Sequence, residues 1–594
     1  MVGVSIWVKI ISLYPCFLED SGYYETSFYY IEKRHQKMVK YVDFRLFLGY
    51  SASKKLYIPI SRMRCGMIKI IVNNEMYMYD VFHILKAFCP SEKYEQKVDM
   101  ESTKAITICE EECFEKVHSA KECSSKIDYK DELLADVFEI DENEVAHIRE
   151  RKMKKRYVNT KVYRWLVEKT GRELAWGILT GVRPTKLMMN LLEEGKTDVE
   201  AIQWMQENYQ VTDAKAKLGL DVAKKEKALL QQLDYKDGYS LYVGVPFCPT
   251  ICSYCSFSSY PIGLWKKRVD EYLDAVCKEL TFISEIAKQK QKKLNTVYIG
   301  GGTPTTLEPE QLDRLLTHLE THFSYDDLKE ITVEAGRPDS ITREKLEVLK
   351  AHHIGRISIN PQTMQQKTLD EIGRRHTVED IRRVYAMARE IGFDNINMDL
   401  IAGLPGETVE DMQDTLEQIK ELAPDSLTVH ALAMKRASRL TREQKERQAG
   451  EQNKQKHGVK EQGGTNCVQQ DAAQTAATLS QMIELAADYA KDMGLAPYYL
   501  YRQKNIAGNF ENVGYAKVDK AGIYNILIME EKQSIIAVGA GASTKIVIPE
   551  EQAVIDPKTG NKKNIVRTEN VKDVEQYMSR IDEMIERKGE WLWH

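Results

Sequence analysis

Three cysteines fall within eight residues at Cys248-Pro-Thr-Ile-Cys252-Ser-Tyr-Cys255. Thiolates are soft, electron-rich ligands. When clustered in a chain with no export signal, they bind metal or do chemistry more often than they form disulfides. The spacing C-x3-C-x2-C lets one tight loop wrap a single cluster, and three thiolates are one too few to fill a four-iron cluster. One iron then keeps an open position for a substrate or cofactor, the logic that separates catalytic from closed structural zinc sites. The alternative is a structural zinc whose fourth ligand lies elsewhere, but no second C-x2-C pair is present to complete it. Cys109-x3-Cys113 has the spacing of half a site, and structural cysteine explains that pair more simply.

A loop of this kind needs a frame. The motif follows directly on the apolar run 241–247 (LYVGVPF), and further runs recur at 296–299, 330–334, 356–360, 395–401 and 427–432. Amphipathic stretches separate them, among them 267–288, 308–321, 378–391 and 408–422. Strand–helix alternation repeated this way predicts a parallel sheet with helical crossovers, closed or half-closed into a barrel over 236–435. The cysteines then lie at the C-terminal end of the first barrel strand, the face where such folds keep their active sites.

Other chemistry-bearing residues fall on the same rim. Gly300-Gly301-Gly302-Thr303-Pro304 closes the second strand, and glycines there permit close backbone approach. Glu334 (TVEAGRPD), Gln362 (SINPQTM), Arg374 (EIGRRHT) and Asp399 (NMDLIAGLPGET) stand at the ends of the next strands. Packing alone would put apolar residues at such positions, and polar groups at this rim bind ligands. Each taken singly also fits a structural salt bridge.

The C-x3-C-x2-C motif resembles the signature of the radical S-adenosylmethionine (SAM) superfamily. Within it, the chain resembles the oxygen-independent coproporphyrinogen III dehydrogenases, especially their long second form with an N-terminal extension. The resemblance covers about 240 to 435, and more weakly the tail to about 545. It implies a [4Fe–4S] cluster on Cys248, Cys252 and Cys255, whose open iron chelates SAM and whose electron cleaves it to a 5′-deoxyadenosyl radical. It also implies that Tyr242, Tyr254, Gly301, Gly302, Thr303, Gln362 and the backbone at Ala431 line the SAM site. Glu334, Arg374 and Asp399 would hold a second SAM beside the first. The implied reaction is the oxidative decarboxylation of coproporphyrinogen III to protoporphyrinogen IX, driven by an electron donor such as flavodoxin or ferredoxin. Arg183, Lys186, Arg375, Arg502 and Lys504 are candidate partners for the substrate's carboxylates.

One position departs from this pattern. Phe257 stands where the dehydrogenases often carry a further cysteine, and phenylalanine there is typical of the sibling heme-chaperone-like branch. Against that branch stands the long N-terminal region, whose segment Gly177-Ile-Leu-Thr-Gly-Val-Arg183-Pro-Thr-Lys186 resembles a hallmark of the longer dehydrogenase-like form. A heme-binding chaperone and a radical SAM methyltransferase stay open as alternatives.

Composition sets the outer bounds. In 594 residues, 84 Lys+Arg face 89 Asp+Glu for a formal charge of -5, which gives no global basic field for nucleic acid. The longest apolar stretch near the start, Val2 to Leu18, is broken by Lys9, Ser12 and Pro15, so no membrane span is expected. Eleven cysteines without an export signal suggest a reducing, cytoplasmic setting. The expected architecture is α/β: a partial TIM-type (β/α)6 barrel with an α+β domain over 67–235 before it. A polar linker or insertion follows at 436–475, then a small α+β domain over 476–594 with a helix from Ala476 to Met493 and strands at 523–529 and 534–538. Residues 1–66 are expected to be an upstream mis-start or an unstructured N-terminal extension.

Overall fold

The computed structural model describes residues 67–593, apart from 90–91, 111–136, 182, 434–437, 440–441, 443–466, 504–509 and 556–561. The expectations for residues 1–66, for Cys113 and Lys504, and for most of 436–475 therefore lie outside the described residues.

The N-terminal region forms a sheet of its own. Strands β1 (Met67–Val72), β2 (Lys93–Val98), β3 (Lys104–Glu110) and β4 (Phe138–Asp141) take the order β2-β1-β3-β4, with β1–β2 parallel and the other pairings antiparallel. Helix α1 (Glu75–Phe88) starts where the Asn74 side chain accepts from the Met76 N–H. It packs, with α2 (Glu142–Ala146) and α3 (Arg151–Thr170), over a core that includes Ile70, Val72, Ile84, Phe88, Ile106 and Val162. That core ends near Ile178. The next helices, α4 (Thr185–Glu193), α5 (Asp198–Tyr209) and α6 (Asp213–Leu230), bury Met188, Leu191, Met205 and Leu220 in the main core instead.

The barrel segment follows the sequence periodicity closely. Strands β5 (Gly238–Val245), β6 (Lys293–Gly301), β7 (Glu330–Gly336), β8 (Arg356–Ile359), β9 (Ile396–Ala402) and β10 (Ser426–Ala431) run parallel in that order. Five helices cross between them: α7 (Val269–Gln289), α8 (Pro309–His322), α9 (Arg343–Ala351), α10 (Val378–Ile391) and α11 (Val409–Leu422). Helices α10 and α11 open with capping boxes at Thr377/Asp380 and Thr408/Asp411, which satisfy orphan N–H groups at both starts.

The C-terminal segment differs from its expectation. Helix α12 (Cys467–Asp492) begins nine residues before Ala476, inside the segment read as a polar linker. Strands β11 (Ala496–Arg502) and β12 (Glu511–Ala516) follow, β12 pairing antiparallel with β10 and β11 antiparallel with β12. Residues 523–529, expected to be a strand, form helix α13 (Ile523–Glu530). Strand β13 (Ser534–Val538) pairs parallel with β5, and β14 (Ser543–Val547) and β15 (Ile565–Glu569) extend that edge. Helices α14 (Val574–Ser579) and α15 (Ile581–Gly589) close the chain. Among the described residues, the segment's only separate sheet is a short ribbon pairing Val554–Ile555 antiparallel with Lys562–Lys563. Its other strands flank both edges of one open sheet of 11 strands, ordered β11-β12-β10-β9-β8-β7-β6-β5-β13-β14-β15. Exposed edges of a parallel half-barrel leave unpaired backbone groups, and these strands satisfy them. Among the described residues, no helix is long and apolar enough to cross a membrane.

Candidate functional site

The C-terminal ends of β5 to β10 open into one cavity of about 370 Å³, within the range of ligand sites. Cys248, Tyr254, Cys252, Cys255, Gly301, Gly302, Thr303, Glu334, Gln362, Arg374, Asp399 and Ala431 all line it. The sequence placed these residues on six different strand ends, and the sheet brings them together. Tyr242 does not line it. Its side chain turns into the barrel interior beneath Gly301 and stacks with Tyr298 (centroids 6.2 Å) and Tyr524 (6.4 Å).

The cysteine loop is pinned against the glycine run. Gly302 N–H donates to Val245 O and Thr303 N–H to Phe247 O, both at 2.7 Å, and the Thr303 hydroxyl faces Cys248 Sγ at 3.5 Å. A Cβ on Gly302 would stand 2.5 Å from Phe247 O, and Gly301 holds φ at 113°, so both positions require glycine. From the other side, Ser253 N–H donates to Ile372 O (3.0 Å) and Thr250 Oγ1 to Gly373 O (3.1 Å). Burial pushes the Cys248 thiol up to about 11, with the Thr303 hydrogen bond opposing, so a ligated metal must displace a proton there.

Glu334 accepts a hydrogen bond from the Tyr298 hydroxyl. Desolvation raises its carboxyl to about 7, against that bond and with Asp399 adding repulsion. Burial also works against charge on Asp399, but hydrogen bonds from His430, Asn397 and Thr428 outweigh it and hold this carboxyl below the ordinary range. Asn397 Nδ2 donates to Asp399 Oδ1 at 2.7 Å. Arg374 donates to Asn360 O and, at 3.3 Å, to the Tyr254 hydroxyl. Gln362 takes a left-handed φ of 71° and bridges to β9, its N–H donating to Asp399 O and its carbonyl accepting from Ile401 N–H, both at 2.9 Å. This turn adds one isolated bridge to β9 beyond the end of β8, and the side chain lines the cavity.

Among the described residues, six lining atoms are buried without a partner: Ser259 Oγ, Arg356 Nε, Ser358 Oγ, Asn360 Oδ1, Gln362 Oε1 and Arg374 Nε. Orphaned buried polar atoms are costly, and six of them around one cavity fit a polar ligand that bonds them when bound. With Glu334 and Asp399 on one wall and Arg374 on another, the cavity suits a zwitterionic ligand. Among the described residues, no three His, Cys, Asp or Glu side chains converge on a single-ion site. Ligands of a multi-iron cluster each take a separate iron, so the loop need not gather its sulfurs around one point. His318 and His322, a His-x3-His pair on α8, stack ring on ring (3.9 Å) and do not line this cavity, so they complete no zinc site with the cysteines.

The candidate carboxylate partners scatter. Arg183 pairs with Glu531 (2.6 Å), and buried Arg502 donates to Leu179 O (2.8 Å) over the Trp176 ring. Both cations are spent on joining segments far apart in sequence. Lys186 lines no part of the cavity, and Arg375 lines a second one, about 410 Å³, behind the cysteine loop. The sequence reading missed Arg337, Tyr298, His430, Tyr499 and Tyr501, which also line the site. Arg337 was findable as a cation just past the β7 end. Tyr499 and Tyr501 come from β11, and no local signal points that strand at the barrel mouth.

The radical SAM superfamily model matches residues 242–419. Over 425 residues the chain is 42% identical to the oxygen-independent coproporphyrinogen-III oxidase-like protein HemZ of Bacillus subtilis (strain 168), covering 71% of this chain and 78% of HemZ. The chain belongs to this family of radical SAM proteins. The heme chaperone HemW of the same organism is 41% identical over 194 residues, 32% of this chain and 50% of HemW. The oxygen-independent coproporphyrinogen III oxidase of Escherichia coli (strain K12) is 34% identical over 190 residues, 32% of this chain and 41% of that oxidase. Among solved structures, E. coli coproporphyrinogen III oxidase (HemN), described as a radical SAM enzyme, aligns with a TM-score of 0.42 at 21% identity, over 60% of this chain and 73% of that one. As a radical SAM protein, the chain uses a [4Fe–4S] cluster and SAM. The cavity that joins the three thiols to the polar strand ends has the donor set for both.

Proposed function

We propose that the protein oxidatively decarboxylates coproporphyrinogen III to protoporphyrinogen IX, converting two propionates to vinyls in anaerobic porphyrin synthesis. The observation that carries this reading is the single cavity in which Cys248, Cys252 and Cys255 meet Glu334, Arg374 and Asp399. When bound, the cluster and SAM supply the one-electron chemistry that removes hydrogen from an unactivated C–H bond. The chain's own part is binding and shielding. Cys248, Cys252 and Cys255 ligate the cluster. Gly301, Gly302, Thr303, Tyr254, Gln362 and the Ala431 backbone bound the SAM site. Glu334, Arg374 and Asp399 hold the charges of SAM, and of a second SAM beside the first. Tyr499 and Tyr501 wall the cavity from β11 and exclude water. A one-electron donor such as flavodoxin or ferredoxin reduces the cluster in the cytoplasm.

One observation favours a second reading, a heme-binding chaperone. Phe257 lines the cavity yet stands 70% exposed, an apolar surface suited to a tetrapyrrole that is held and handed on. The discriminating assay is anaerobic. Reconstituted protein is given coproporphyrinogen III, dithionite and SAM, and porphyrinogens are resolved by chromatography. Vinyl product with two CO2 per substrate is expected. Stoichiometric heme binding with no vinyl product overturns the enzyme reading in favour of the chaperone, and a methylated product points to a methyltransferase.

A further inference from the structure

Arg337 lies just past β7 and is 3% exposed. Its Nη1 donates to Thr250 O and Thr250 Oγ1, both at 2.8 Å, and approaches Cys252 Sγ at 3.7 Å. Its Nε and Nη2 close a fork on the two Asp339 oxygens at 2.9 and 2.6 Å. The far side of Asp339 faces His376 Nδ1 at 3.7 Å. Most of the guanidinium's five N–H groups are thereby used by the protein itself, so Arg337 is poorly placed to serve as a ligand-binding cation although it borders the cavity. It ties the cysteine loop to the β7 end and presents the positive end of a fixed Arg337–Asp339 ion pair to one sulfur.

We propose that Arg337 is a positioning residue of the cysteine loop whose charge raises the reduction potential of the cluster held there. This rests on the ligand assignment made above. Cluster potentials respond to net charge and to hydrogen bonds at the sulfurs, and ligand surroundings tune a metal nearly as much as the ligands do. A guanidinium stays protonated at any working pH, and the Asp339 fork fixes its direction. Its field on Cys252 is therefore constant. The positive charge favours the reduced, more negative cluster and eases entry of the electron that starts the reaction.

The test uses the full-length, anaerobically reconstituted protein without SAM or substrate, with iron content and midpoint potential read by redox titration under electron paramagnetic resonance. Arg337→Gln should keep wild-type iron and shift the midpoint to more negative potential, and Arg337→Lys, which keeps the charge, should return most of that shift. Iron lost from Arg337→Gln but kept in Arg337→Lys at a near wild-type potential also supports the proposal. An unchanged potential in iron-replete Arg337→Gln overturns it, as does an Arg337→Lys shift as large as that of Arg337→Gln. Iron lost from both variants makes Arg337 a mechanical clamp only and equally overturns the charge role. Full iron in Cys252→Ala would instead defeat the ligand assignment beneath it.

Discussion

Cys252 and Asp399 line the same cavity and make opposite predictions. Cys252→Ala should abolish bound iron, because two thiolates do not hold a four-iron cluster. Asp399→Ala should leave iron normal while weakening SAM binding by about 10- to 100-fold, the loss of one charge-assisted contact. Cys109→Ala, 4% exposed in β3 of the N-terminal sheet, should change neither. Iron assay and SAM titration on the three variants check the set. Glu334 adds a pH signature. Its carboxyl is raised from 4.5 to about 7 in the fold, so the native state holds more protons than the unfolded chain across that interval. Stability should therefore fall as pH rises from about 5 to about 7, and fall less in Glu334→Gln, by thermal denaturation. SAM brings a cationic ammonium that favours the charged carboxylate, so its affinity should climb over the same interval and lose that dependence in Glu334→Gln.

At the scale of elements, α13 is the instructive case. Ile523-Tyr-Asn-Ile-Leu-Ile-Met529 is a short apolar run rich in β-branched residues, and periodicity alone does not separate a buried strand from a buried helix. The decision comes from β7. Glu330 accepts from the N–H groups of Ile523 and Tyr524, satisfying two donors that a helix start leaves orphaned. Tyr524 then stacks on Tyr298 of β6 at 4.4 Å, directly below the cavity wall. Glu330→Ala should cost about 1–3 kcal/mol, and Glu330→Gln less because it keeps an acceptor, measured by chemical denaturation.

Over the whole molecule, the C-terminal tail locks the sheet edge beside the cysteine loop. Glu279 of α7 accepts from Lys588 Nζ of α15, Tyr577 Oη (2.6 Å), Asn570 Nδ2 (2.9 Å) and Gly539 N–H (3.0 Å). Lys588 and Glu279 are fully buried. Removing one partner of such a pair strands the other charge. Lys588→Met should therefore destabilise by about 3–5 kcal/mol, and adding Glu279→Gln should recover part of that loss in denaturant titrations. If the double variant were as unstable as the single one, the lost packing of the lysine stem would be the cause.

The six parallel strands and a dozen of the residues that line the cavity were legible in the sequence because they depend on local signals. Short apolar runs and period-3.6 stretches name the elements, and a parallel sheet carries every strand's C-terminal end to one face, so Cys248, Glu334, Gln362, Arg374 and Asp399 meet without further information. What the sequence left open depends on partners distant along the chain. Arg183 and Arg502 look like free cations until Glu531 and the Leu179 carbonyl take them, and Tyr242 looks like a wall residue until Tyr298 and Tyr524 stack beside it. Nothing near residues 534–538 says that they pair with 239–243, almost 300 residues earlier. The sequence by itself determined which elements form and which polar residues stand at their ends. Only the tertiary structure decided which charges stay available for a ligand, because a buried charge must find a partner and the choice of partner is made by the fold.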